Sequence, residues 1–272
     1  MKSDMNKWKT AGFIATLVIG LSMPLYLARV HFLGKPSATL VPARLADFVG
    51  SEECKSCHKR EYDLWKGSHH DLAMDVASDE TMLGDFNDAS LEHHGVVSRF
   101  YRKGDKYFAH TPGPGGEMGD FELTHTFGWY PLQQYLVPFP GGRYQCLPIA
   151  WDVDKERWYH LYPDTPIDPD DWLYWTNAGQ NWNGMCAECH STNLKKNYDV
   201  GTDSYETTWS DIDVGCEACH GPGSRHVEWA ELPDMARPPV KNAELVVRTS
   251  GLTSRSLVEL CAPCHSRRAA LG

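Results

Sequence analysis

Four copies of one pentapeptide constrain this chain more than any other feature. They are Cys54-Lys55-Ser56-Cys57-His58, Cys186-Ala187-Glu188-Cys189-His190, Cys216-Glu217-Ala218-Cys219-His220 and Cys261-Ala262-Pro263-Cys264-His265, and only Cys146 of the nine cysteines falls outside them. C-x-x-C-H is the attachment sequence of c-type haem. Thiols two residues apart reach both vinyl groups on one porphyrin edge, and the next residue puts an imidazole under the iron. Paired cysteines also build zinc sites and disulfide scaffolds, but neither needs a histidine directly after every second cysteine. The expectation is four covalently bound haems c. Cys54, Cys57, Cys186, Cys189, Cys216, Cys219, Cys261 and Cys264 would hold them, with His58, His190, His220 and His265 as proximal iron ligands. Cys146 reads as a small buried residue in a strand.

Haem c is attached outside the cytoplasm, so an export signal is expected. Lys2, Lys7 and Lys9 precede an uncharged run of about 19 residues from Thr10 to Ala28. Pro24 interrupts that run, and Tyr26-Leu27-Ala28 is a poor cleavage site. Residues 1–33 are read as an uncleaved signal anchor, with a cleaved signal peptide as the alternative. The lysines would hold the N-terminus inside and place the rest on the periplasmic side of a bacterial membrane. Residues 34–47, with Pro36 and Pro42, read as a linker. The formal net charge is −10 and no basic run follows the anchor, which argues against nucleic acid. An acidic surface fits either a basic redox partner or plain solubility.

The motifs divide the exported part unevenly: a first haem segment over 48–90, a β-rich insert over 91–165 and a three-haem segment over 166–272. Alternating or aromatic-rich runs predict strands at Gly95–Tyr101, Lys106–His110, Phe121–Phe127, Tyr144–Trp151 and Arg157–Tyr162, joined as an antiparallel meander of five strands. Short helices are expected from Ser51 through Trp65, from Leu72 towards Ala77, and over Thr253–Ala262 with Thr253 or Ser254 as N-cap. The fold class is α+β: short helices packed around four haems, an antiparallel insert and an N-terminal transmembrane or signal helix. Regular structure should be sparse around the last three motifs.

The sixth ligand decides what each iron can do, since a second histidine gives a saturated electron carrier and an open position admits substrate. Beyond the proximal four and His31 at the membrane edge, the histidines are His69, His70, His93, His94, His110, His125, His160 and His226. His226 follows a Gly221-Pro222-Gly223 turn that can carry the chain from one porphyrin to the next. His70 is preferred of the pair after Trp65-Lys66-Gly67-Ser68, and one of His93 and His94 is a further choice. His125 shares a strand face with Phe121, Leu123 and Phe127, and His160 alternates with Trp158 and Tyr162. Either could ligate or be satisfied within the core. Met74 reads as a core residue.

Phe48-Val49-Gly50-Ser51-Glu52-Glu53-Cys54, Trp65 through His70, and Val214 through His226 resemble multihaem cytochromes c related to the tetrahaem cytochrome of ammonia oxidisers and to the hydroxylamine oxidoreductase lineage. Phe127-Gly128-Trp129-Tyr130-Pro131-Leu132-Gln133-Gln134-Tyr135-Leu136, Gln180-Asn181-Trp182-Asn183 and Cys264-His265-Ser266-Arg267-Arg268 are similar to the N-terminal part of exported multihaem cytochromes that end in tetratricopeptide repeats. The resemblance implies His70 and His226 as distal ligands. It also implies an architecture that continues past the fourth motif, with the iron at His265 open if its distal ligand comes from beyond. The function expected is electron transfer with redox partner proteins, quinol-oxidising or periplasmic. The alternative is the N-terminal part of an oxidoreductase acting on nitrogen oxides or sulfur oxyanions through one open iron. A third reading is a subunit docking to a larger multihaem complex through the β insert.

Overall fold

Ser51-Glu52-Glu53 places two carboxylates in the first turn of a short helix, where they complement its exposed N–H groups. In the computed structural model this is α1 (Ser51–Cys54), followed after the first motif by α2 (Lys59–Trp65). The structure describes residues 45–266 and three isolated positions before them, Ser22, Met23 and Tyr26. The chain divides into a unit ending at Leu45 and one beginning at Ala46, and the fold described is that of the second. Apart from those three positions, the expected signal anchor lies outside the described residues, as does all of the expected linker before Leu45. Among the described residues, no helix is long and apolar enough to cross a membrane.

The helix expected from Leu72 to Ala77 does not form. Asp71–Ala73 make a single 3₁₀ turn, and Met74–Val76 form strand β1, which pairs antiparallel with His125–Phe127 (β6). Sheet pairing and burial of Met74 at 1% exposure override a local preference that three residues cannot enforce.

The expected five-strand meander is instead two antiparallel sheets. Asn87–His93 (β2), Val96–Lys103 (β3), Lys106–Pro112 (β4) and Met118–Leu123 (β5) form a four-stranded sheet in sequence order. The second sheet runs β1-β6-β7-β9-β10, where β7 is Leu132–Phe139, β9 is Ile149–Asp152 and β10 is Arg157–His160; β8 (Arg143–Cys146) also pairs with β7. The run Phe121–Phe127 breaks at Thr124 into strands of different sheets, and Tyr144–Trp151 breaks at Leu147-Pro148. Strand β7 lies outside the runs expected from the sequence, and it carries Pro138 near its end, a residue that argues against a strand interior.

Strand β7 is buried on both faces. Tyr135 and Val137 enter an aromatic core with Phe86, Phe100, Trp151 and Trp158, in which Phe100 and Trp158 stack at 3.8 Å. Leu136 points the other way, into a cluster with Met74, Cys146, Trp182 and Ala187. That second cluster includes Cys186, so the sheet packs directly against the second C-x-x-C-H. Trp182 Nε1 donates to Met74 Sδ at 3.0 Å, which satisfies a buried donor in an otherwise apolar setting.

Beyond the sheets, structure is sparse as expected. The short helices are α3 (Trp182–Met185), α4 (Ala187–His190), α5 (Cys216–His220) and α6 (Ser224–Ala230), with a two-stranded ribbon of Tyr198–Asp199 and Ser204–Tyr205. The last element is α7 (Ser254–His265), whose N-cap Thr253 accepts from Ser256 N–H.

Candidate haem-binding site

Each later motif is helical through its second cysteine and histidine, and helical spacing brings cysteines three apart, and the histidine after them, to one side. The first motif straddles the end of α1, where His58 N–H donates to Cys54 C=O at 2.9 Å.

Contacts distant in sequence gather the motifs. The Glu217 carboxylate, 3% exposed, accepts from Val49 N–H at 3.0 Å, Gly50 N–H at 2.8 Å and Gly223 N–H at 2.7 Å. Ser51 Oγ donates to Asp211 at 2.9 Å and accepts from Cys216 N–H at 3.0 Å. Gly215 allows this approach, since a Cβ there would collide with Ser51 Oγ and Asp211 Oδ2. Helix α1 packs on α5, and α4 on α7.

The thiols record the same order. The neighbouring Cys54 thiol is the leading cause that lowers Cys216, and Cys54 is raised in turn. Burial, then Cys261, raises Cys219. Burial, then Cys189 and more weakly Cys219, pushes Cys264 up to about 11. Cys189 Sγ also lies 3.9 Å from Pro263 C=O. The four motifs therefore adjoin in the order first, third, fourth, second. A cavity of about 550 Å³ opens between the last three, lined by Phe48, Cys189, Ser191, Val214, Ala218 and Cys264 among others.

The imidazoles are oriented for ligation. Nδ1 of His226 faces Ala243 C=O at 2.8 Å, that of His220 faces Val247 C=O at 3.0 Å, and that of His190 faces Ala73 C=O at 3.4 Å. A carbonyl only accepts, so Nδ1 carries the proton and Nε2 keeps a free lone pair. Burial holds His190 below the ordinary histidine range, which favours the neutral ligand form.

Two ring pairs stand out. His58 and His226 have centroids 6.0 Å apart, and His70 and His265 are 6.2 Å apart. Two imidazoles on opposite sides of one metal, with metal–nitrogen bonds of about 2 Å, place their ring centres about 6 Å apart. The thiols, free Nε2 atoms, ring spacing and cavity fit haem c. Ser191, whose buried Oγ has no partner, lines this cavity.

The other histidines expected as ligands lie elsewhere. His93 sits at a second cavity of about 220 Å³ with His94 and His160, and no motif residue lines it. The His93 and His160 rings stack at 3.9 Å and 9° because β2 and β10 bring them together, so their in-plane lone pairs run parallel rather than converge. Among the described residues no three His, Cys, Asp or Glu side chains are placed to hold a bare metal ion. His125 is turned to Tyr144, at 5.1 Å, and to Thr124 Oγ1, at 2.9 Å. Phe127, two residues on, is the ring that meets His190, at 4.3 Å. His69 lies against Tyr130 and His110 pairs with Asp120. Among the described residues, neither His190 nor His220 faces a second histidine ring. Sequence reasoning missed Glu217, Asp211 and Asp213. The partners of Glu217 and Asp211 lie some 160 residues away.

Thiol pairs joined to imidazoles with free Nε2 atoms, repeated and packed together, are the donor set of a multihaem c-type cytochrome. The family model described as "Cytochrome c554 and c-prime" matches residues 53–124 and 175–221, less than half of the chain. No curated protein matches. Among solved structures, an undecaheme cytochrome from the S-layer of Carboxydothermus ferrireducens is similar at 18% identity over 81% of this chain, with a TM-score of 0.42. The chain spans 26% of that protein's length. The family match and the motifs support covalently bound haem c and electron transfer by a c-type cytochrome.

Proposed function

We propose that the chain is a tetrahaem c-type cytochrome, in which close-packed haems pass electrons between redox partner proteins on the periplasmic side of a cytoplasmic membrane. The observation that carries this is the pair of histidine couples at 6.0 and 6.2 Å, each joining a C-x-x-C-H histidine to one outside any motif. His226 is assigned as the distal ligand opposite His58, and His70 as the one opposite His265. Haem c supplies a one-electron ferric–ferrous couple. The protein's part is to fix the rings: carbonyls of Ala243, Val247 and Ala73 hold the imidazoles of His226, His220 and His190 in one tautomer. The motif order supports a wire running first, third, fourth, second. Residues 1–33 serve as the anchor in this reading, and the acidic charge suits a basic donor or acceptor.

Electron paramagnetic resonance of the purified protein, with a pyridine haemochrome count, tests this reading. Four haems with at least two low-spin ferric centres are expected. Fewer than four haems, or wholly high-spin iron, would overturn it.

A second reading has one specific observation behind it. His190 and His220 lack a facing histidine among the described residues, so an open iron belongs there rather than at His265. Carbon monoxide binding by the reduced protein, with nitrite or hydroxylamine reduction lost on His190→Met or His220→Met, would favour an oxidoreductase. Absence of both leaves the electron carrier alone.

A further inference from the structure

The ninth cysteine is not isolated. Cys146 ends β8 at 2% exposure, and its Sγ lies 4.0 Å from Sγ of Cys186, the first cysteine of the second motif. The two backbones are held in place around this contact. Gln145 and Asn181 form a β-bridge, Asn181 Nδ2 donates to Gln145 Oε1 at 3.1 Å, and Tyr144 N–H donates to Asn183 Oδ1 at 2.8 Å. Asn183 Nδ2 returns to Gly142 C=O at 3.1 Å. Strand β8 and helix α3 are thus stapled on either side of the two thiols. A disulfide bond of about 2 Å requires the two sulfurs, 4.0 Å apart, to approach further.

We propose that Cys146 and Cys186 form a disulfide in the haem-free chain, and that this crosslink withholds the second motif from haem until it is reduced. The inference rests on the reading that Cys186 carries haem. The oxidant is a protein disulfide of the exported compartment. The Cys186 thiolate attacks it, forming a mixed disulfide and releasing one oxidant thiol. Cys146 then attacks the Cys186 sulfur and releases the second, so two cysteine thiols and one external disulfide become one internal disulfide and two external thiols. An external dithiol reverses the exchange. Attachment needs the Cys186 S–H to add across a vinyl group, and a sulfur bonded to Cys146 has no proton to give.

The test uses the full chain, exported in cells lacking haem-attachment machinery, with thiols alkylated on acid quenching and the digest mapped by mass without reduction. A Cys146–Cys186 linked peptide is expected, absent in Cys146→Ser and Cys146→Ala. In attachment-competent cells deprived of the thiol reductant, the wild type should carry one haem fewer than either variant, the loss confined to the second motif. Alkylated Cys146 with Cys186 joined to Cys189, or equal loading of wild type and both variants, would overturn the proposal. If the second-motif peptide of the ordinarily grown wild type carries no haem mass, the haem reading fails instead.

Discussion

An axial position that loses its imidazole changes the spin state of the iron, so His70 and His226 can be tested one at a time. His226→Ala should convert one low-spin haem equivalent per chain to high-spin, and His70→Ala another, each read by electron paramagnetic resonance. His93→Ala and His125→Ala should leave the spectrum unchanged. A different residue sets a pH dependence. Burial, with Asp211 and Asp71 nearby, pushes the Asp213 carboxyl up to about 7. An acid raised in the folded state holds its proton there after the unfolded chain has lost it. Its contribution to stability is full below the unfolded value of about 4 and is lost as pH rises through about 7. Asp213→Asn should therefore gain stability relative to wild type near pH 8 compared with near pH 5, in guanidinium unfolding at matched ionic strength.

At the scale of elements, the clamp between the 47–51 segment and α5 is the most exposed to a single change. Glu217→Ala strips three backbone N–H groups of their acceptor and should cost about 2–4 kcal/mol, measured by chemical unfolding. Gly215→Ala should damage the same contact by steric collision, without removing a hydrogen bond. Much of the fold is legible in the sequence. Period-two alternation marks β3, β4 and β10, and the pentapeptides mark the histidine that closes each motif. The cap of α7 is readable as Thr253 or Ser254, and Thr253 fills it. What stays hidden depends on distant partners. Met74 looks helical until β6 is beside it, Pro138 looks like a break until β8 covers its edge, and Glu217 is one variable position in a motif until residues 49 and 50 return to it. His70 and His226 are singled out in the sequence, but which C-x-x-C-H histidine each lies beside is not.

For the whole molecule, the motif order makes the fourth motif the bridge between the first–third pair and the second. Replacing Cys261 and Cys264 by Ala should leave three haems and a gap in the wire. In stopped-flow reduction the wild type should equilibrate in a single fast phase. The variant should show one haem equivalent, that of the second motif, reduced at least about tenfold more slowly. Equal rates in both would refute the order. The clamp on Glu217 carries a further consequence. A chain emerges from the ribosome N-terminus first, at about 5–20 residues per second, and its parts fold as they become complete. Val49 and Gly50 meet an acceptor 168 and 167 residues further along. The clamp beside the first motif therefore closes only once the third motif has been made. The order of manufacture is therefore built into the topology, with the earliest pentapeptide sealed among the last.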